Sequence, residues 1–454
     1  MASPARGTVR SATIRRVASE PTSGKDAPGP PAGSAAAVLR LPSFRAFVAS
    51  RFFSGIALTL LRAAVAWQVY EITGSAFHLG MIGLAQFVPA LALNLIGGAA
   101  ADAYDRKRMV MVFQVVPVFC SVLLAIASLD HDPASPGSPS LALLYGAVMI
   151  VSAAAAFEGP ARAALLPQLV ERRVFPVAVA LNSTIQMGAF VSGPVLMGFA
   201  VAHGGIVLPY VLHASLMVGA LISMARVRAL TSAVPGGRVR LAAIVEGLRY
   251  VRHQPVVLGC MTLDMFAVLF GGATALLPIY ATDILQVGPR GYGFLASGLE
   301  LGSVLAAVVM LTLPPVRRTG LALIWAVVGF AISTIVFGLS RFYPLSLVAY
   351  MVAGMSDYIS VVMRSTAIQL TTPDELRGRV SAVNYVFIGA SNQLGAAESG
   401  FLAAATTPTF SVVSGGFAAL VVAGLVAWLN PALRHYHAHK EPPPSPPAPA
   451  VAST

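Results

Sequence analysis

Arg62, Asp264, Glu300 and Asp357 are ionisable residues set inside long runs of apolar sequence. An ionised group at the centre of a membrane-spanning helix costs about 2.5–3.5 kcal/mol. Such a residue therefore turns toward a partner, toward water or toward a ligand. A carboxylate moved out of water holds its proton more tightly, so one inside a span can take up and release a proton near neutrality. An arginine in the same setting can hold an anionic substrate. The alternative for these residues is a fixed ion pair, Arg62 with Asp264 or with Asp357. Glu158, Arg162, Arg364 and Glu398 are four more charges within apolar runs. The first three sit near the run ends, and Glu398 lies toward the opposite end of its run.

Only 11% of the 454 residues are charged and 56% are apolar, with a mean hydropathy of +0.76. A soluble domain carries about 25% charged residues, so lipid must cover much of this surface. Apolar runs near the length needed to cross a hydrocarbon core of about 30 Å recur along the chain. They fall at residues 44–71, 79–101, 108–128, 141–165, 176–202, 205–225, 257–283, 291–313, 320–340, 344–368, 379–403 and 408–430. The expected fold class is an all-α membrane protein with twelve transmembrane helices. Cys120 and Cys260 both lie inside these runs, where small core residues are expected and no disulfide framework is indicated.

The net charge is +12. Of the thirty lysines and arginines, 24 fall on the side of the N-terminus, counting alternate loops, and only Arg290 and Arg341 fall on the other. That bias places both termini in the cytoplasm, and an odd number of spans would scramble it. Basic residues that follow topology rather than gather in a patch argue against nucleic-acid binding. Residues 1–40 lack the apolar stretch of a signal peptide and read as a disordered cytoplasmic tail. The Pro-rich end, 431–454, reads the same way. Its "HYHAHK" is taken as solvated, so no metal site is expected.

Residues 41–227 and 257–430 would form two six-helix bundles, joined by a cytoplasmic linker over 228–256. In that linker "VPGGRVR" precedes "LAAIVEGLRYVRHQ", whose Leu241, Ile244, Val245, Leu248 and Val251 recur at helical spacing. A helix on the membrane surface is expected there. A shift of 202 residues superposes Arg162 on Arg364, Asn182 on Asn384, Gly193 on Gly395 and Gly198 on Gly400. Four matches at one offset argue for an internal repeat, hence pseudo-symmetric bundles with a site between them.

The stretch "GGAAADAYDRKRMVM", residues 97–111, concentrates charge between spans 2 and 3. Gly98 would let a neighbouring helix approach, and Asp102 lies one turn further on the same face. In "TTPDELRGRV", Thr372 and Glu375 have the spacing of a capping box with Pro373 at the first helical position. Arg377 and Arg379 stand beside it.

Gly98-x3-Asp102-x2-Asp105-Arg106-Lys107 resembles the loop 2–3 signature of the major facilitator superfamily, G-x3-D-x2-G-R-K/R, with Asp105 where glycine is commoner. "FVASRFFSGIALTLLRAAVAWQVYEITGSAFHLG", "GPARAALLPQLV", "ALNSTIQMGAFVSGPVLMG", "LLPIYATDILQVGPRGYGFL" and "PDELRGRV" look like its twelve-span drug and siderophore exporter branch. Gly193-Pro194-x3-Gly198 is similar to the antiporter glycine-proline motif, with Met197 replacing a glycine. The resemblance implies the major facilitator fold and an inner-membrane exporter of bacterial type moving a small molecule outward against protons, a task for which a monomer suffices. Proton-independent facilitation or uptake is the alternative. It implies a cytoplasmic latch of Gly98, Asp102, Asp105, Arg106 and Lys107, which Glu158, Arg162, Arg364, Arg377 and Arg379 would join. It also implies a cavity lined by spans 1, 4, 7 and 10, making Arg62, Asp264 and Asp357 the first candidates for substrate or proton contact, with Glu300 beside them. Gly193, Pro194, Gly198, Gly395 and Gly400 would serve helix packing. No P-loop or hydrolase motif occurs, so neither ATP nor an enzymatic reaction is expected and the proton gradient would replace a cofactor.

Overall fold

A computed structural model describes residues 35–129, 140–228, 241–314 and 316–437. The segments 1–34 and 438–454 of the two expected tails, and "VPGGRVR", lie outside the described residues. Twelve long helices make up most of the rest: α1 Pro42–Thr73, α2 Ala76–Ala103, α3 Arg106–Ala127, α4 Leu141–Leu165, α5 Phe175–Gly204, α6 Val207–Ala225, α7 Pro255–Phe270, α8 Gly288–Thr312, α9 Thr319–Leu339, α10 Tyr343–Thr371, α11 Asp374–Ala405 and α12 Pro408–Leu429. Eleven helical stretches among the described residues are long and apolar enough to cross a membrane. The helix α11, at 32 residues, is as long as any but falls outside that set. Its Asp374, Glu375, Arg377, Arg379 and Glu398 lower its apolar character.

The stretch expected as span 7 is not one straight helix. After α7 the chain passes Gly271 and Gly272, takes a 3-10 turn over Ala273–Leu276, and ends in a π turn over Tyr280–Ile284. A Cβ on Gly271 would collide with the Phe330 ring, and one on Gly272 would lie 3.2 Å from Gly395. The glycines let the broken helix pass close to α9 and α11.

Helices pack alike in the two halves. In the first, α1 packs on α5 and α6, α2 on α4, and α3 on α4 and α6. In the second, α7 packs on α11 and α12, α8 on α10, and α9 on α10 and α12. Between halves, α2 meets α11 and α5 meets α8. The glycines of the repeat do matching work. A Cβ on Gly193 would lie 2.6 Å from the Ile56 carbonyl of α1, and one on Gly395 2.7 Å from the Val268 carbonyl of α7. One on Gly198 would lie 2.5 Å from the Pro289 carbonyl of α8, and one on Gly400 2.9 Å from the Ala76 carbonyl of α2. Small residues are what allow helix backbones to approach this closely.

Among the described residues the buried apolar side chains form three cores. One draws on both halves, joining Leu60, Trp67, Tyr70 and Tyr210 to Leu276, Tyr280, Tyr292 and Phe337. It lies toward the face away from the termini, the far face. The other two lie toward the face where the described chain enters and leaves, the terminal face. There Phe44, Val110, Leu165 and Val227 belong to the first half, and Val257, Leu323, Val380 and Leu433 to the second.

Chain segments taken as tail contribute to these cores. Ala35–Arg40 is helical with Val38 buried, and Pro431–Arg434 is helical with Leu433 buried. Asn430 Nδ2 donates to the Pro255 carbonyl at 2.6 Å and Gly320 N donates to that of Tyr436 at 3.2 Å. The linker helix, Leu241–His253, docks on protein as well: Tyr250 Oη donates to the Thr371 carbonyl at 2.9 Å, Glu246 pairs with Arg379, and Val251 is buried.

Candidate functional site

A cleft between the halves is closed at the far face and open at the terminal face. The closure is polar as well as apolar. Tyr70 Oη donates to Asp283 Oδ2 at 2.5 Å, joining α1 to the π turn. Tyr292 Oη donates to the Ala63 carbonyl at 3.3 Å and its ring sits 5.2 Å from that of Trp67. Ser297 Oγ donates to the Val191 carbonyl at 2.8 Å, and Arg290 Nη2 lies 3.2 Å from His203 Nε2. Phe77 of α2 and Phe401 of α11 approach to 5.2 Å between centroids.

Of the four ionisable candidates, Arg62 faces an open pocket of the first half, whereas Asp264 and Asp357 line a small cavity of the second. Arg62 is exposed, at one edge of an open pocket. The pocket is lined mainly by apolar side chains of α1, α2 and α4, among them Leu58, Val65, Ile82 and Val151, with Gln86 and Ser152 as polar points. Ser152 Oγ donates to the Gln86 carbonyl at 2.9 Å. Arg62 makes no hydrogen bond or ion pair among the described residues. The carboxylate of Glu300, on α8, lies within electrostatic reach of Arg62. Asp357, on α10, lies within reach of Glu300. An arginine at an apolar pocket, with two acids in electrostatic series behind it, has the composition of a ligand site.

Asp264 does not pair with Arg62. It is buried and forms an ion pair with Arg364, also buried. This corrects the expectation that Arg364 joins a latch: Arg364 joins α10 to α7 inside the second half. At the terminal end of the first half, Arg162 pairs with Glu158, four residues earlier. Gln114 Nε2 donates to Glu158 Oε1 at 3.0 Å, and Arg51 lies within electrostatic reach of both Arg162 and Glu158. Arg51, half-buried in α1, was not singled out from the sequence; its 11-residue spacing from Arg62 on one helix was the available signal.

The latch residues find their partners within their own halves or, for Arg379, on the linker helix. Asp102 lies 4.0 Å from Arg106, whose Nη1 donates to the Ala164 carbonyl at 3.1 Å. Lys107 Nζ donates to the Ala225 and Val227 carbonyls, each at 2.8 Å, and so caps the end of α6. Asp105 accepts from Arg108 N at 2.7 Å and caps the start of α3, which gives a reason for aspartate where the signature has glycine. Arg377 pairs with Asp374 and Arg379 with Glu246. Asp102 approaches neither arginine.

Two local expectations are corrected. A Cβ on Gly98 would meet nothing within 4 Å; it is Gly97 that packs against Ala156 of α4. Thr372 forms no capping box. Its Oγ1 bonds to the Ile368 carbonyl at 2.6 Å, closing α10, and α11 starts at Asp374 after Pro373.

A model of the transmembrane secretion effectors, a branch of the major facilitator superfamily, matches residues 33–454. The chain belongs to this family. Over 403 residues it is 27% identical to the enterobactin exporter of Escherichia coli strain K12, covering 87% of this chain and 93% of that protein. The enterobactin exporter of Shigella dysenteriae serotype 1 matches to the same extent, at 27%. Among solved structures, a bacterial homologue of the human lysosomal transporter Spinster, inward-facing and unoccupied, aligns with TM-score 0.60 at 14% identity, covering 86% of this chain and 96% of that one. The nucleoside transporter NupG aligns with TM-score 0.65 at 11% identity, covering 86% and 98%. These two likenesses concern the fold. The chain is a multi-pass membrane transporter of small molecules, and its relatives are transporters rather than enzymes.

Proposed function

We propose that this transporter exports a small amphipathic molecule, of siderophore or drug type, in exchange for protons by alternating access. The observation that carries the reading is Arg62: a cation facing the cleft without a hydrogen-bond partner, beside an apolar pocket, with Glu300 and Asp357 within electrostatic reach in series. The terminal face is the cytoplasmic one, as the basic residues argue, and α11 is a twelfth span. Residues 41–227 and 257–430 rock as two bodies about the cleft of a monomer. The proton gradient is the driving force.

Deprotonated Glu300 offsets the charge of Arg62, and the apolar pocket then accepts an uncharged amphipathic molecule. A proton arriving on the Glu300–Asp357 pair leaves Arg62 uncompensated. A bare cation in a largely apolar pocket holds water and disfavours that molecule. Proton and substrate thus oppose each other, as exchange requires. An anionic substrate would be drawn in by the same proton, which is the signature of co-movement.

The test is uptake of a fluorescent dye and of a catecholate siderophore into inside-out vesicles holding the full chain. An imposed gradient, acid inside, is expected to drive accumulation, and Asp357→Asn and Glu300→Gln to abolish the pH dependence while leaving counterflow measurable. Accumulation indifferent to the gradient in the parent protein, or unchanged pH dependence in both variants, contradicts proton exchange.

A further inference from the structure

Asp264, Asp357 and the hydroxyl-bearing Ser360 line one small cavity between α7, α9 and α10, walled otherwise by apolar residues including Val327 and Phe330. The cavity has room for an occupant of about one water's size. Ser360 is 4% exposed and its hydroxyl makes no hydrogen bond among the described residues. With no protein partner, a hydroxyl on the wall of this cavity is left to whatever small occupant the cavity holds. Asp357 and Ser360 are three apart on α10 and so share a face.

Charge narrows what that ligand can be. The Asp264 carboxylate is matched by Arg364. Asp357 has no ion-pair partner, and the acid nearest in its field is Glu300, of like sign. Arg62 reaches it only through Glu300. Tyr350 on the same helix and Cys260 beside Arg364 are neutral neighbours, and the cavity-lining residues of α9 carry no charge. One negative charge therefore stands uncompensated against carboxylate and hydroxyl oxygens. Hard oxygen donors suit a hard cation. A divalent ion asks for more carboxylate charge than the single one left over here.

We infer that this cavity is a binding site for a small monovalent cation, Na⁺, held by Asp357, Ser360 Oγ and the Asp264 oxygen not engaged by Arg364. The inference rests on the reading of Asp357 as the acid that carries the coupling ion, and it makes Na⁺ a competitor of the proton there. Ser360 is the residue that separates the two ions: a proton on Asp357 does not require it, whereas a desolvated Na⁺ needs each oxygen.

The experiment is thermal unfolding of the purified full-length protein in NaCl against KCl and choline chloride at matched ionic strength, at alkaline and at acidic pH. Na⁺ is expected to raise the Tm saturably at alkaline pH, and less at acidic pH, with K⁺ and choline inactive. Ser360→Ala should raise the half-saturating Na⁺ concentration by roughly tenfold, the loss expected for one contact to a charged group, and Asp357→Asn should remove the increment. Should Asp357→Asn fail to fold, Ser360→Ala still decides. No Na⁺-specific rise in the parent, or a rise undiminished in Ser360→Ala, overturns the site. A missing Na⁺ effect beside intact pH-driven transport overturns this inference alone. A Na⁺ effect with no pH-driven transport in Na⁺-free buffer upholds it and overturns proton exchange.

Discussion

The two ends of the cleft differ in how the halves meet. At the far face a single core takes Trp67 and Tyr70 from one half and Tyr280 and Tyr292 from the other, and Tyr70 reaches across to Asp283. At the terminal face each half keeps its own core, and the latch charges find partners in their own half or, for Arg379, in the linker helix rather than across the cleft. Yet the terminal face has the means to close. Gly98 and Gly378 carry no side chain and meet nothing within 4 Å, one at the end of α2 and one at the start of α11, helices that already touch at their other ends. One end shows how the halves lock; the other shows the same helices apart. On the proposed alternating-access reading, this is the state with the cleft open at the terminal face.

Substitutions can break this contrast in graded ways. Arg364→Ala leaves Asp264 buried without its cation, which is expected to cost about 3–5 kcal/mol. Because the pair belongs to the second half alone, the loss should appear as a lower Tm and poor expression rather than as a shift between states. Replacing Asp264 and Arg364 together by leucine and methionine should recover most of that stability.

Gly198→Leu acts on the lock itself. Overpacking of a close contact costs about 1–3 kcal/mol, here between α5 and α8, so the far face should open and transport should fall with little loss of folded protein. Labelling of a cysteine introduced at the far face by a membrane-impermeant thiol reagent checks it. Tyr70→Phe removes the hydrogen bond to Asp283, and because water reaches the exposed carboxylate the expected weakening of far-face closure is about 0.5–1.5 kcal/mol. The same reagent should then label faster than in the parent.

Asp105→Ala should cost about 1 kcal/mol as the loss of a helix cap, read as a small drop in Tm with the transport pH profile unchanged. Glu246→Gln weakens an exposed ion pair with Arg379 and is expected to change stability by less than about 1 kcal/mol, less still in high salt.

Much of the fold was legible because each spanning helix is nearly uniform in polarity and charge marks the loops. The repeat was legible because glycine at a crossing has no substitute: the pairs Gly193/Gly395 and Gly198/Gly400 meet matching helices in the two halves. Rotation about a helix was not. Gly97 and Gly98 are neighbours in sequence but lie about 100° apart around the axis, and only Gly97 faces α4. Partner choice was hidden for the same reason: Arg364 takes Asp264 because α10 and α7 turn those faces together, leaving Arg62 to the cleft. The Thr372–Glu375 spacing suited a cap, but Thr372 can equally bond back to Ile368 and finish the preceding helix. The Tyr70–Asp283 contact joins residues 213 apart at the ends of two spans, where no local pattern announces a meeting.

The most direct measurement is a pair of spin-label distances across the cleft, in a full-length protein with Cys120 and Cys260 replaced by serine. One pair joins Tyr104→Cys to Gly378→Cys at the terminal face; the other joins Leu129→Cys to Phe342→Cys at the far face. As pH is cycled, the two distances are expected to change in opposite directions, and Asp357→Asn is expected to remove the response. Distances that rise and fall together, or a pH response intact in Asp357→Asn, would contradict a cleft that opens to one face as it closes to the other.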